Sequence, residues 1–122
     1  MRVFGELESA VMDRLWSYGR AAAVREVLED LKKERSLAYT TVMTVMDKLH
    51  KKGWLHRKLV GRAYVYEPVG TREAYSARLM REALATSNNR AATFVTFLSQ
   101  MSPEETEALR AALRIVPPEA RR

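Results

Sequence analysis

The segment from residue 38 to residue 68 limits the folds open to this chain more than any other part of it. Its apolar side chains recur at intervals of three and four residues, as expected for one face of a helix. These side chains are Val42, Val45, Met46 and Leu49. Gly53 is predicted to end the helix, because a residue without a Cβ adopts the left-handed cap conformation at little cost. We therefore predict an amphipathic helix over residues 39–52, with a polar and basic face opposite the apolar one.

The residues after Gly53 are rich in aromatic and β-branched side chains, and Gly61-Arg62 divides them into two runs. Runs of this composition predict strands, here over residues 54–60 and 63–67. The short break that contains glycine predicts a hairpin turn with a basic tip. The predicted unit is thus a helix followed by a two-stranded β-hairpin.

Positive charge is concentrated in the same segment. The chain has a formal charge of +6, and residues 40–66 contribute +5 of it, with Asp47 as their one acid. The cations are Lys48, Lys51, Lys52, Arg57, Lys58 and Arg62. A basic helix followed by a cationic hairpin predicts a winged helix-turn-helix that binds double-stranded DNA. The alternative is an ordinary solvated surface, which the exclusion of acids from this segment disfavours.

Two further apolar stripes precede this segment. The first predicts a helix that ends at Gly19, with Glu6 and Glu8 near the positive end of its dipole. Its apolar residues are Leu7, Ala10, Val11, Leu15 and Tyr18. The second stripe predicts another helix, and residues 21–24 before it are either a minimal strand or a linker. It comprises Val24, Val27, Leu28 and Leu31.

Residues 70–122 are predicted to form three helices and no strand. We expect one over residues 72–86, one around Phe94, and one that begins after Ser102, where Pro103 and Glu105 complete the start signal. The predicted fold class is therefore mainly α with a small β-hairpin wing. A winged-helix DNA-binding domain over residues 1–69 is followed by a helical dimerisation domain over residues 70–122.

The apolar faces of these last three helices need a partner, because a winged-helix core is already complete without them. A second copy of the chain is the economical partner, and it sets two recognition helices one DNA turn apart, roughly 34 Å. The predicted interface comprises Tyr75, Leu79, Phe94, Phe97, Leu98, Met101, Leu109 and Leu113. The alternative is a monomer in which the three helices cover their own domain.

The polar face of the predicted recognition helix suggests how it contacts DNA. Thr40, Thr41 and Thr44 carry hydroxyl and methyl groups that suit base edges and thymine methyls, and Met43 shares their surface. The six cations suit phosphates, which fix the register of binding but carry little sequence information. The alternative for the threonines is simple exposure to solvent.

Three groups of residues also resemble a known family. The first helix carries Glu8, Val11-Met12 and Leu15-Trp16, and the third carries Thr40-Thr41-Val42, Thr44, Met46, Lys48-Leu49 and Lys51-Lys52-Gly53. The hairpin carries Gly61-Arg62-Ala63-Tyr64, Tyr66 and Pro68. In combination they resemble the penicillinase repressors of the BlaI/MecI type. The resemblance implies a dimeric repressor that occupies a palindromic operator and controls β-lactam-resistance genes. Ala38 stands where a helix-capping serine is common in the family, which weakens the start of the helix by roughly 1 kcal/mol.

The resemblance also implies a mode of inactivation. In the family, a membrane sensor of β-lactams triggers a protease that cuts before a phenylalanine in the dimerisation helices. The matching bond here is Thr96-Phe97, although threonine stands where the best-known members have asparagine. Because of this departure, the resemblance does not fix which bond is cut or which protease cuts it.

Other function classes find little support in the sequence. The chain has no cysteine, and its two histidines, His50 and His56, lie on different predicted elements, so we expect neither metal nor cofactor nor catalysis. No apolar run approaches the roughly 20 residues of a membrane span, so we expect a cytoplasmic protein. Two rivals to a protease-controlled repressor remain open: a winged-helix regulator that senses a small molecule, and a winged-helix module that binds protein.

Overall fold

The structure is a computed structural model that describes residues 4–121. Its helices are α1 (Glu6–Tyr18), α2 (Val24–Lys32), α3 (Tyr39–Lys51), α4 (Arg72–Ala85), α5 (Arg90–Ser99) and α6 (Pro103–Ile115). Its strands are β1 (Ala22–Ala23), β2 (Leu55–Val60) and β3 (Ala63–Pro68). The predicted fold class, mainly α with a β-hairpin wing, is confirmed. No helix within residues 4–121 has the length and apolar character that a membrane crossing requires.

The small sheet joins the hairpin to the segment between the first two helices. Its order is β1-β3-β2, and all pairs are antiparallel. Ala22 pairs with Tyr66, so the segment for which the sequence left strand and linker open is a two-residue strand. In the hairpin Val60 pairs with Ala63, and Gly61 between them has a φ of 64°, which favours glycine.

The apolar face of α3 is the centre of the core. Val42, Met46 and Leu49 are completely buried, and they pack with buried residues of α1, α2 and the sheet. Those partners include Val11, Met12, Leu15, Val27, Leu28, Leu31, Leu55 and Tyr66. Each fully buried aliphatic side chain contributes about 1.5–3 kcal/mol to folding, so this face fixes which side of α3 meets solvent.

The two ends of α3 differ in how their backbone groups are satisfied. At the carboxyl end, Gly53 N–H donates to the His50 carbonyl at 3.0 Å and Trp54 N–H donates to the Leu49 carbonyl at 2.9 Å. This is a Schellman motif, and Gly53 has the positive φ of 86° that the motif requires. The predicted stop at Gly53 is confirmed, and α3 ends one residue earlier than the predicted range. At the amino end, Ala38 supplies no side-chain cap.

The first turns of α4 pack against the winged helix through aromatic side chains. The Tyr75 ring stacks on Phe4 with centroids 4.1 Å apart, and it meets Trp54 edge to face at 5.0 Å. The Trp16 indole N–H donates to the Gly70 carbonyl at 2.9 Å. Tyr75, which was predicted to face a second copy, is therefore half-buried within the winged-helix unit.

The structure divides into two compact units between Met80 and Arg81. The sequence placed the domain boundary after residue 69 instead. The difference arises because the aromatic contacts of Tyr75, and an ion pair of 2.6 Å between Arg72 and Asp13, tie the start of α4 to the first unit. Apolar periodicity identifies the face of α4 but not the element it packs against.

The second unit contains the end of α4 together with α5 and α6. The Ser102 hydroxyl accepts from the Glu105 N–H at 3.1 Å, and the Glu105 carboxylate accepts from the Ser102 N–H at 2.9 Å. This capping box, with Pro103 in the first turn, confirms the predicted start of α6. None of the residues that the structure describes in α4, α5 or α6 is buried.

Candidate nucleic-acid interface

The solvent side of α3 presents the short polar side chains that the sequence predicted for base contact. Thr40, Thr41 and Thr44 are exposed, and Met43 is 41% exposed among them. They lie on the opposite side of the helix from Val42, Met46 and Leu49. The buried face holds the helix in place, so these four side chains form a rigidly supported surface of a width that the major groove admits.

The hydroxyl groups of the three threonines are not equivalent. The Thr44 hydroxyl donates to the Thr40 carbonyl at 2.8 Å, which leaves its oxygen as an acceptor and its methyl group free for apolar contact. No hydrogen bond of the Thr40 or Thr41 side chain occurs within residues 4–121. These two hydroxyls can therefore both donate to and accept from base edges.

The six predicted cations fall into two groups by their ion pairing. Lys48, Lys58 and Arg62 are exposed and form no ion pair with any residue of the described range 4–121. Lys48 lies on α3, Lys58 on β2 and Arg62 at the hairpin tip. These three charges are free to meet phosphate, and they are spread over the helix and the wing.

The other three cations are paired within the protein. Lys51 lies 3.0 Å from Asp47, Arg57 lies 3.1 Å from Asp47, and Lys52 lies 2.9 Å from Glu8 of α1. Lys51 is largely exposed, so its ammonium can leave Asp47 for a phosphate at little expense. Lys52 and Arg57 are more enclosed, and their pairs join α3 to α1 and to the wing. To contact phosphate, as the sequence predicts, Lys52 and Arg57 would have to leave these ion pairs.

Both acids in these pairs are held in the charged state. A hydrogen bond from Lys51, with the attraction of Lys51 and Arg57, lowers the pKa of Asp47 despite partial desolvation. Burial raises the pKa of Glu8, but hydrogen bonds from Lys52 and from the Gly5 N–H outweigh it, so its pKa is also lowered. The ion pairs are therefore present at neutral pH.

The amino end of α3 is also open to an anion. The first turn of α3 contains no acid, whereas the first turns of α1, α2 and α6 do. Ala38 adds no side-chain cap, so the positive end of the helix dipole is not compensated there, although the Thr41 N–H donates to the Ala38 carbonyl at 3.2 Å. A DNA phosphate is a suitable partner for such an end.

Three residues of this surface were not predicted from the sequence. Arg25, Tyr39 and Tyr64 line a cleft between α3 and the wing, together with Met43 and Arg62. The Arg25 guanidinium lies 5.6 Å from the centre of the Tyr39 ring. Arg25 was missed because the charge count was confined to residues 40–66. Its position beside the buried Val24, at the start of the helix before α3, could have indicated it.

Histidine and carboxylate side chains do not form a metal centre in the described part of the chain. No group of three or more potential ligands occurs there. His50 instead lies on the inner side of α3, with Nδ1 3.0 Å from the Leu55 carbonyl, and His56 is exposed on β2.

Three helices, a hairpin and an exposed basic face on the third helix define the class of the protein. The same fold is found in the solved structure described as the complex of hsRosR-S4, with a TM-score of 0.51. That match has 16% identity and covers 88% of this chain and 94% of the other. The chain therefore has a winged helix-turn-helix fold.

A family model described as penicillinase repressor matches residues 4–115, and the chain belongs to that family. It is 46% identical over 112 residues to Transcriptional regulator BlaI of Mycobacterium tuberculosis, in strains CDC 1551 / Oshkosh and ATCC 25618 / H37Rv. The alignment covers 89% of this chain and 81% of that protein. The chain is thus a transcriptional regulator of the BlaI type, and the resemblance noted in its sequence is confirmed.

Proposed function

We propose that this protein represses β-lactam-resistance genes by binding a near-palindromic operator as a homodimer. The observation that carries the proposal is the surface formed by α3 and the wing in a member of the penicillinase repressor family. It combines the exposed threonines of α3 with three cations that form no ion pair within residues 4–121, Lys48 on the helix and Lys58 and Arg62 on the wing. Bound to a promoter, such a surface excludes other proteins from the DNA.

The contacts divide by the chemistry of the side chains. Thr40, Thr41, Met43 and Thr44 read bases in the major groove, since their short side chains hold the helix close to the base edges. Lys48, Lys51, Lys58 and Arg62 bind phosphates and fix the register of the helix on the duplex. Arg62 at the hairpin tip reaches the backbone beside the groove that α3 occupies.

Exposed apolar side chains in α5 and α6 support the homodimer. Five large apolar side chains there are between 36% and 50% exposed. They are Phe94, Phe97, Leu98, Leu109 and Leu113. A cluster of exposed apolar side chains on a protein surface marks a site of contact with a partner. A twofold pairing of these helices makes two recognition surfaces available to the two halves of a palindrome.

Selection of bound fragments from genomic DNA tests the proposal as a whole. We expect the selected fragments to share a near-palindrome with half-sites about one helical turn apart, 10–10.5 base pairs or a multiple. We expect it upstream of genes that confer resistance to β-lactams. Selection of unrelated fragments with no shared element would contradict the proposal.

Two substitutions separate base readout from phosphate binding. We expect Thr44→Ala to weaken binding to the selected operator by about 1–3 kcal/mol while leaving random DNA unchanged, because a base contact is lost. We expect Arg62→Ala to weaken binding to both DNAs and to reduce the slope of log affinity against log salt by about 1. Fluorescence anisotropy at several salt concentrations measures both. Equal losses on the two DNAs for both variants would show that the threonine face does not read bases.

Proteolysis within α5 provides a means of releasing the operator. The Thr96-Phe97 bond lies inside the helix, and the Thr96 hydroxyl donates to the Ala92 carbonyl at 2.9 Å. A protease that binds an extended substrate therefore requires α5 to unwind locally first. Cutting there separates α6 from α4, and the proposed dimer loses part of its interface.

Cleavage can be followed in cells exposed to a β-lactam. We expect a fragment that begins at Phe97 to appear as target genes are induced, and Phe97→Ala to prevent it. Phe94→Ala is the matched control, because Phe94 and Phe97 are each 50% exposed on the same helix. Immunoblotting and amino-terminal sequencing identify the fragment. Induction while the protein stays at full length would exclude proteolysis as the trigger.

A further inference from the structure

Asp47 is an acid on a surface that otherwise attracts DNA. It is the one acid within residues 40–66, and it lies on α3 one turn from Thr44 and beside Lys48. An uncompensated carboxylate there repels phosphate. Each of its oxygens, however, has a cation: Oδ1 lies 3.1 Å from the Arg57 guanidinium and Oδ2 lies 3.0 Å from the Lys51 ammonium.

Arg57 is enclosed by α3 and by the wing. Its guanidinium lies 4.2 Å from the centre of the Tyr64 ring on β3, within the range of a cation–π contact. On the neighbouring strand it is paired in register with Tyr66, which is buried. Its side chain is 28% exposed, whereas that of the next residue, Lys58, points to the other face of the hairpin and is open to solvent. Arg57 is thus tied at once to the recognition helix and to both strands of the wing.

We propose that Asp47 and Arg57 are positioning residues that fix the angle between the wing and α3, and that Arg57 is not a phosphate contact. The base of the wing is held by β1, which pairs with Val65 and Tyr66, and by the buried Leu55. Its outer part, residues 59–64, pairs with no third strand, and a two-stranded hairpin is only marginally stable by itself, so this part depends on a tie to α3.

The bridge sets where Arg62 meets the backbone relative to the bases under Thr41 and Thr44. Affinity for the operator depends on this alignment, because bases and phosphates must be contacted together. Affinity for random DNA does not depend on it. The inference rests on the proposed operator-specific binding.

A charge-balanced double variant tests the bridge. Asp47→Asn with Arg57→Gln removes one negative and one positive charge, so the net charge of the surface is unchanged. We expect affinity for the selected operator to fall about tenfold, as for coupled neighbours in contact. Affinity for random DNA and the salt slope are expected to stay at the wild-type values. Lys58→Gln is the matched control on the adjacent residue, and it should weaken both DNAs and lower the slope by about 1.

A conservative variant distinguishes positioning from general damage to the fold. Arg57→Lys keeps a cation opposite Asp47, and we expect it to retain operator affinity within about threefold of the wild type. Circular dichroism of each full-length variant shows whether it is folded.

The outcomes separate this inference from the proposed function. If the wild type prefers the operator but the double variant loses affinity equally for both DNAs with a lower slope, Arg57 is a phosphate contact and the inference is wrong. Full operator affinity in the double variant, or loss of folding in Arg57→Lys, would also overturn it. If the wild type itself shows no preference for any selected DNA, the proposed function is what has failed.

Discussion

Leu98→Glu is expected to convert the proposed dimer into monomers and to lower affinity for the operator by about 100-fold or more, because linked half-sites exceed single ones by that factor. Leu98 is 47% exposed on α5, beside Phe94 and Phe97 on a helix without a buried residue. A glutamate at this position places a charge among the exposed apolar side chains of the proposed interface, and the loss of its hydration opposes association. Each monomer then holds one half-site alone.

The measurement combines sedimentation equilibrium with anisotropy on whole-operator and half-operator duplexes. Arg110→Glu is the control, because it also adds a carboxylate to the second unit. It replaces an exposed side chain whose ion pair with Glu107 contributes little to stability. It should leave the dimer and its affinity close to wild type. A dimeric Leu98→Glu with full affinity would place the interface elsewhere, and a monomeric wild type on the operator would remove the basis for a twofold site.

Local signals in the sequence were sufficient for most of the first unit. The apolar period from Val42 to Leu49 and the stop at Gly53 place α3 to within one residue, because helix periodicity and cap conformation are properties of neighbouring residues. The capping box at Ser102 is local in the same way. Such signals also identified the exposed threonine face, since the face opposite a buried stripe is necessarily the one in solvent.

Contacts between distant residues could not be predicted in this way. The pairing of Lys52 with Glu8 joins positions 44 residues apart, so a charge count along the chain treated Lys52 as a free cation. Arg57 was counted likewise, although its guanidinium packs on Tyr64 across the hairpin. The strand at Ala22 has no apolar alternation to reveal it and exists only because β3 pairs with it. The stacking of Tyr75 on Phe4 has the same origin, since periodicity gives a face and not a partner.

Substitutions of the neighbouring residues Leu49 and Lys48 are expected to have separate effects. Leu49→Ala should lower stability by a large amount, and Lys48→Ala should weaken DNA binding. Leu49 is completely buried in the first unit, so Leu49→Ala should lower the free energy of unfolding by about 2–5 kcal/mol through lost burial and the cavity left behind. Its backbone carbonyl still accepts from the Trp54 N–H, so the end of α3 is preserved. The loss is therefore one of packing alone.

Lys48→Ala should change the free energy of unfolding by no more than about 0.5 kcal/mol, because Lys48 is exposed and unpaired within residues 4–121. The same substitution should reduce the salt slope of DNA binding by about 0.9, as one phosphate contact is lost. Urea unfolding followed by circular dichroism, at one fixed protomer concentration, gives the first quantity, and anisotropy across a salt series gives the second. The opposite pattern, with a stable Leu49→Ala and an unfolded Lys48→Ala, would mean that α3 presents its other face to solvent. The rotation of α3 about its axis determines both which side chains are buried and which cations face solvent. Leu49→Ala and Lys48→Ala together therefore test the orientation on which DNA recognition depends.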